Sequence, residues 1–183
     1  MPLAITLRFD SDTAPSIAAM WRTLAAAGID DDRDGLGYAA HITLGIYPDD
    51  APAAALAGAV QTLARQWDTM PVTVCGFGLF PGPSSILWAV PVVTAALLAR
   101  QAATVAAVAD RVPGQPVHPH YRPGAWVPHV TLSGALRDPA PALAALLPLW
   151  RPLSGVLDRM DLVRFRPVAV LSSEALRGGT PSG

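Results

Sequence analysis

Two tetrapeptides of the same form carry the residues best suited to chemistry in this chain. His41-Ile42-Thr43-Leu44 lies in a run that predicts a strand, and His129-Val130-Thr131-Leu132 repeats it in the second half. Side chains alternate between the two faces of a strand, so each copy presents an imidazole and a hydroxyl on one face and apolar groups on the other. A chance repeat of this kind is expected about once in a thousand such chains, and we interpret the histidines as a functional pair.

These residue types suit acid–base chemistry on a phosphate ester. An imidazole titrates near neutral pH, so one can remove a proton while a second delivers one. The hydroxyls of Thr43 and Thr131 can donate hydrogen bonds to anionic oxygens. Strict alternation also places Gly45 on the face of Thr43, and Ser133 on the face of Thr131. Opening of a cyclic phosphodiester needs these elements: an activated water, a protonated leaving oxygen and donors to the non-bridging oxygens.

Two other interpretations of the pair stay open on the residues alone. Each histidine can be a core residue whose ring is satisfied by a backbone carbonyl. A metal site would need a further ligand, because zinc is normally held by additional histidine, cysteine or carboxylate side chains. Asp10, or His118 together with His120, could supply one. We expect no metal and no cofactor.

The composition narrows the class of protein. The chain has 183 residues, of which 51% are hydrophobic, enough for the core of one domain. No apolar run approaches the roughly 20 residues that cross a bilayer, and the first residues do not resemble a signal peptide, so we expect a cytoplasmic protein with no membrane partner. The one cysteine, Cys75, lies in a predicted strand, where we expect a buried, inert thiol.

Charge limits the kind of partner. All 13 basic residues are arginine, and the net charge is −1. The chain therefore has no lysine nucleophile and no phosphate-binding lysine of the Walker type. A near-neutral chain also argues against a wide, sequence-independent grip on nucleic acid, which needs a basic face. We expect the partner to be a small nucleotide or a short RNA terminus, and the protein to be a monomer.

The hydrophobic pattern predicts an α+β chain of short strands and helices. We predict strands at 3–9, 39–47, 72–80, 86–92, 126–134, 153–157, 159–165 and 168–173, and helices at 15–27, 52–67, 94–111 and 140–149. Residues 112–128 form the one long irregular segment, and such segments are often functional. Each half supplies one histidine strand followed by a helix, which indicates an internal duplication within one domain at 1–177, followed by a flexible tail at 178–183.

The paired His-apolar-Thr-apolar motifs, one in each half, resemble the signature of the two-histidine (2H) phosphoesterase superfamily. The flanking runs, His41 to Tyr47 and Gly124 to Leu132, are most similar to its bacterial 2′-5′ RNA ligase-like branch. The resemblance covers nearly the whole chain. It implies a bilobal α+β fold with pseudo-twofold symmetry, two antiparallel sheets around a central cleft and helices outside. It also implies metal-independent opening of 2′,3′-cyclic phosphates, or cleavage and ligation at 2′-5′ linkages.

The same resemblance implies roles for the motif residues. His41 and His129 would be catalytic, and Thr43 and Thr131 would bind the phosphate. We expect His129 to act as the base that activates water and His41 as the acid that protonates the leaving ribose oxygen. The alternative is a non-catalytic nucleotide- or RNA-binding module with the same pocket, because such a protein would retain both motifs.

Further contacts with substrate are expected around the motifs. Tyr47, Tyr121 and Trp126 are candidates for stacking on a base, and Arg122 for pairing with phosphate. We expect the two histidines of the long irregular segment to be exposed. Some ligase-like members carry a basic residue just after the second motif, whereas this chain has Ser133-Gly134-Ala135 there.

Overall fold

A computed structural model of the chain describes residues 2–179, in which strands and helices alternate as the pattern predicts. The strands are β1 (Leu3–Phe9), β2 (His41–Tyr47), β3 (Met70–Phe80), β4 (Ser85–Pro91), β5 (Val130–Leu136), β6 (Leu153–Arg164) and β7 (Ala169–Ala175). The α-helices are α1 (Ala14–Ala26), α2 (Asp32–Gly35), α3 (Ala53–Gln66), α4 (Ala95–Arg111) and α5 (Ala140–Leu146). No helix within residues 2–179 has the length and hydrophobicity needed to cross a bilayer.

Differences from the predicted elements occur at three places. The predicted strands at 153–157 and 159–165 are one long strand, β6, and the acidic loop before β2 contains the short helix α2. His129 lies just before β5 begins, not inside it. Of the predicted tail, residues 178 and 179 are described, and residues 180–183 lie outside the described part of the chain.

The strands pair antiparallel in the order β2-β1-β6-β3-β4-β5, and β7 also pairs with β6. Residues 153–157 of β6 pair with β3, and residues 157–164 pair with β1. The two antiparallel sheets expected from the resemblance are therefore the halves of one hydrogen-bonded network, because β6 spans both. The two motif strands, β2 and β5, are the ends of this order.

Strand β1 shows how the two faces of the sheet differ. Leu3, Ile5 and Leu7 are fully buried in the main core, whereas Thr6 and Arg8 lie on the opposite, polar face. The helices supply the other side of the core, since α4 contacts β2, α3 contacts β6 and β7, and α1 contacts β5. The polar face is left for the functional site.

The expectation of a buried thiol was wrong. Val72 and Val74 of β3 point into the core, so alternation turns Cys75 to the other side, where it is exposed. The apolar neighbours had suggested burial of Cys75. Because side chains alternate along a strand, buried valines at 72 and 74 instead predict that Cys75 is exposed.

The central position of β6 can be tested with a matched pair of truncations. Leu162 in β6 is fully buried, whereas Leu171 in the adjacent β7 is 39% exposed. Leu162→Ala should lower the free energy of unfolding by about 2–5 kcal/mol, because it removes transfer energy and leaves a cavity. Leu171→Ala should cost about 1 kcal/mol or less. Urea denaturation measures both, and equal losses would contradict this assignment of the core.

Candidate functional site

Two tryptophan side chains link the motif strands across the ends of the sheet. The sheet curls until β2 and β5 contact each other. Trp126, which precedes β5, donates its indole N–H to the Thr43 carbonyl of β2 at 3.0 Å. Trp21 of α1, which precedes β2, donates to the Thr131 carbonyl of β5, also at 3.0 Å. The two halves therefore cap each other at equivalent residues of the motifs.

The outer edge of β2 is covered further by the second half of the chain. Gln101 of α4, itself buried, donates its side-chain amide to the Leu44 carbonyl at 3.2 Å. The backbone N–H of His118 donates to the Ile46 carbonyl at 2.8 Å. Because an end strand has no further strand to pair with, these bonds satisfy carbonyls that would otherwise need water. The long irregular segment is thereby held against β2.

The two histidines are oriented in the same way. Nδ1 of His41 lies 2.8 Å from the Ala39 carbonyl, and Nδ1 of His129 lies 2.8 Å from the Val127 carbonyl. A carbonyl oxygen only accepts, so in each ring Nδ1 carries the hydrogen and donates it. In the neutral rings Nε2 is therefore the basic atom. This arrangement suits both proton removal and, after protonation, proton delivery from the same atom.

A β-bulge follows the threonine of each motif. In the first, Thr6 pairs with Thr43 while the preceding Ile5 pairs with Gly45. In the second, Trp88 pairs with Thr131 while its neighbour Leu87 pairs with Ser133. Each motif strand thus inserts one extra residue against its partner, which reverses the alternation beyond that point. The two halves therefore share both the tetrapeptide and the β-bulge that follows its threonine.

The bulges overturn part of the predicted facing. Gly45 and Ser133 do not share the face of the threonines, because they pair with residues of the buried face. Tyr47 also pairs with a core residue, Leu3, and is 1% exposed. The expectation that Tyr47 stacks on a base was therefore wrong. The ring fills the core on the side opposite His41.

Burial lowers the pKa of both imidazoles. The pKa of His41 falls to about 4, mainly through burial, and its hydrogen bond to Ala39 only partly offsets this; the charges of Arg33 and His129 lower the pKa further. The pKa of His129 is lowered by burial and by the charge of Arg33, against its hydrogen bond to Val127. In the free protein at neutral pH both rings are therefore neutral.

Arg33 of α2 is a residue near the histidines that the sequence prediction missed. The charge of its guanidinium acts on both imidazoles and lowers the pKa of each. Its side chain is 19% exposed, and Nη2 lies 3.6 Å from the position that a Cβ at Gly134 would take. One signal was present in the sequence: a single arginine among four aspartates, directly before the first motif strand.

Aromatic side chains flank both histidines. The Phe80 and Trp88 rings stack with 5.0 Å between centroids, and they lie 5.1 and 6.1 Å from the His129 ring. Tyr38 and Phe165 lie 4.8 and 6.4 Å from the His41 ring. The sequence prediction had named none of these four. Phe80, Trp88 and Phe165 are half-buried and offer partly accessible apolar surface at the site.

The other predicted substrate contacts, Tyr121, Trp126 and Arg122, differ in burial and in their partners. Tyr121 is buried, with its ring centroid 6.4 Å from that of His129, and the Thr43 side chain lies near enough to its hydroxyl to lower its pKa slightly. Burial raises the pKa of Tyr121 to about 12, so it stays neutral. Trp126 is 7% exposed, and its indole N–H donates to the Thr43 carbonyl. This residue therefore has a structural role. Arg122 is exposed.

The possible metal ligands do not assemble with the motif histidines. His118 and His120 are exposed, as expected, with 5.2 Å between ring centroids. The Asp10 carboxylate accepts a hydrogen bond from the Thr13 backbone N–H at the start of α1. Among residues 2–179 no group of three or more histidine, cysteine, aspartate or glutamate side chains is placed to hold a metal ion.

The family follows from a match over most of the chain. Residues 7–168 match the model of the 2′-5′ RNA ligase superfamily. The chain belongs to this superfamily. The matched range includes both histidine motifs, both bulged strands and Arg33. A comparison with curated proteins gave no match.

Solved structures of similar fold span nearly the whole chain. TT0787 of Thermus thermophilus is 17% identical to this chain, and the match covers 99% of this chain and 100% of TT0787, with a TM-score of 0.67. E. coli LigT in apo form is 18% identical, with 96% of each chain covered and a TM-score of 0.56. Usb1 of Kluyveromyces marxianus is 16% identical, with 93% and 97% covered and a TM-score of 0.54. LigT has also been crystallised with 3′-AMP, ATP and NADP+.

The depressed pKa of His41 predicts a pH-dependent contribution to stability. Between about pH 6.5 and 4 the unfolded chain binds a proton that the folded chain excludes, so stability should fall as the pH is lowered through this window. His41→Gln removes this titration. The unfolding free energy of wild type minus that of the variant should therefore decrease as the pH falls. Urea denaturation across the window measures that difference, and a constant value would contradict the burial of this imidazole.

Proposed function

We propose that this protein is a metal-independent cyclic phosphodiesterase that opens 2′,3′-cyclic phosphates, or acts on 2′-5′ linkages, by two-histidine acid–base catalysis. One observation carries the proposal. The two motif histidines, at the starts of strands that meet at the ends of one curled sheet, are held in the same tautomer by equivalent carbonyls. Two basic Nε2 atoms in equivalent settings suit a reaction that removes one proton and delivers another.

In this mechanism the two imidazoles exchange protonation states. His129 takes a proton from water as the water oxygen attacks phosphorus. The bond from phosphorus to one ribose oxygen breaks, and protonated His41 gives its proton to that oxygen. The product is a phosphate monoester with one free ribose hydroxyl. Thr43 and Thr131 donate hydrogen bonds to the non-bridging oxygens, on which negative charge grows.

The acid role of His41 requires a negative charge at the site. In the free protein its pKa is about 4, so it is neutral near pH 7. A bound phosphodiester is a monoanion, and an anion in contact with an imidazole favours the charged form. Substrate binding is therefore the event that allows His41 to hold a proton.

A small nucleotide is the substrate class that best suits the site. A net charge of −1 argues against a wide grip on nucleic acid, whereas the half-buried Phe80 and Trp88 beside His129 provide apolar surface on which a base can stack. That LigT has been crystallised with mononucleotides supports this choice of class. A short RNA terminus would present the same groups. We propose that the protein works as a monomer.

Turnover of 2′,3′-cyclic AMP, CMP, GMP and UMP by purified protein tests the function directly. We expect hydrolysis of at least one of them, unchanged by EDTA. His41→Gln and His129→Gln should each lower kcat by about 10² to 10⁴, the usual contribution of a positioned acid or base. His120→Gln, an exposed histidine of the long irregular segment, is the matched control and should keep wild-type kcat.

Three results would overturn the proposal. Activity that EDTA abolishes and zinc or manganese restores would indicate a metallophosphoesterase. Rates that survive both histidine substitutions would exclude the mechanism. Nucleotide binding without turnover of these substrates or of 2′-5′-linked dinucleotides would identify the alternative, a binding module.

The threonine hydroxyls can be tested by substitution with a residue of nearly the same shape. Thr43→Val and Thr131→Val should each lower kcat/KM by about 10- to 150-fold, the cost of losing one hydrogen bond to an anion. Thr73→Val, at an exposed position of β3, is the control and should leave kcat/KM unchanged. Folded variants with undiminished turnover would show that both threonines serve the strand alone.

A further inference from the structure

Arg33 is held beside the second motif by the loop that precedes β2. The Asp30 carboxylate accepts hydrogen bonds from the Ser133 hydroxyl and from the Gly134 backbone N–H, the latter at 3.2 Å. The Asp32 carboxylate accepts one from Arg166, on the turn between β6 and β7. These bonds attach both sides of the loop to the sheet, so α2 presents Arg33 from a fixed base.

The bulge in β5 leaves space for the Arg33 side chain. Ser133 pairs with the buried Leu87, and Gly134 follows it within a second register shift, before the Ser85–Leu136 pair. A glycine there has no side chain, and Arg33 Nη2 lies 3.6 Å from where its Cβ would be. The guanidinium therefore lies within van der Waals contact of the point where a side chain at residue 134 would begin.

The charge of Arg33 is incompletely satisfied within the protein. Its nearest carboxylate oxygen, on Asp32, lies 3.6 Å from Nε, and the same oxygen also binds Arg166. Nε is buried and has no hydrogen-bond partner among residues 2–179. Other charged or titratable groups that face it are Asp30, Tyr121 and the two motif histidines. A half-buried guanidinium with so little compensation suits an anionic ligand.

We propose that Arg33 binds the phosphate of the substrate, supplying from the loop before β2 the cation that β5 does not carry after its own motif. This inference rests on the proposed function for the identity of the anion. It gives Arg33 two effects. Its guanidinium donates hydrogen bonds to phosphate oxygens, and its charge adds to the effect of burial in disfavouring protonation of both imidazoles until an anion offsets it.

Inorganic phosphate is the probe for the binding effect, because it needs no turnover. Calorimetric titration with Arg33→Gln should show affinity for phosphate about 10- to 100-fold weaker than that of wild type, the usual loss for charge-assisted bonds. Arg137→Gln is the matched control, since Arg137 is exposed and is the first basic residue after the second motif. It should stay within about twofold of wild type. The reverse ranking of the two variants would overturn the proposal.

NMR titration of the imidazole signals gives the pKa values of both histidines. A purely structural role of Arg33 would not predict that its removal raises both pKa values. Removing a nearby cation makes protonation easier, so the pKa values of His41 and His129 should both rise in free Arg33→Gln. Arg33→Lys keeps the charge but loses the planar fork, so both pKa values should stay near those of wild type, with phosphate affinity between wild type and Arg33→Gln. Imidazoles that titrate alike in all three proteins would refute the electrostatic effect.

The two proposals can fail separately. If wild type binds phosphate through Arg33 but turns over no cyclic nucleotide, the catalytic proposal fails and the anion site stands. If wild type is active while Arg33→Gln matches it in phosphate affinity and kcat/KM, the Arg33 proposal fails alone. Should Arg33→Gln not fold, Arg33→Lys decides, because unaltered phosphate affinity in that folded variant would argue against bidentate binding.

Discussion

The arrangement of the site depends on how the two end strands of the sheet satisfy their outer edges. A strand at the end of a sheet leaves backbone carbonyls without a strand partner, and these must find donors elsewhere. Here the donors come from the opposite half of the chain. Trp126 bonds the Thr43 carbonyl of β2, and Trp21 bonds the Thr131 carbonyl of β5. Closing the edges and bringing the two histidine motifs together are therefore one structural event.

The same requirement explains the backbone around the histidines. Each ring takes its orientation from the carbonyl two residues earlier, which lies outside the regular ladder and is free to accept. Each bulge after the threonine exposes groups that side chains then bind: Gln101 at the Leu44 carbonyl and Asp30 at the Gly134 N–H. Side chains distant in sequence thus hold both motifs in position, which suits a site whose geometry must be accurate.

Much of the fold and the core of the site could be predicted from the sequence, and the failures have physical reasons. The paired motifs and most elements were predictable because hydrophobic periodicity is a local property. Tyr47 was assigned to the wrong face because strict alternation from His41 does not anticipate a bulge at Leu44. Phe80 and Arg33 were missed because only the curl of the sheet and the folding of the acidic loop bring them to the histidines. No local pattern encodes such long-range contacts.

The exchange of edge-capping groups has a consequence for the internal repeat. Although each half carries its own motif, strand and helix, neither half satisfies the edge carbonyls of its own motif strand. Separated from the rest, the first half would expose the carbonyls of Thr43, Leu44 and Ile46 along a bare strand, a template for pairing with any other chain. The two halves thus cover each other's strand edges, and because they belong to one chain, the covering half is always present at high local concentration.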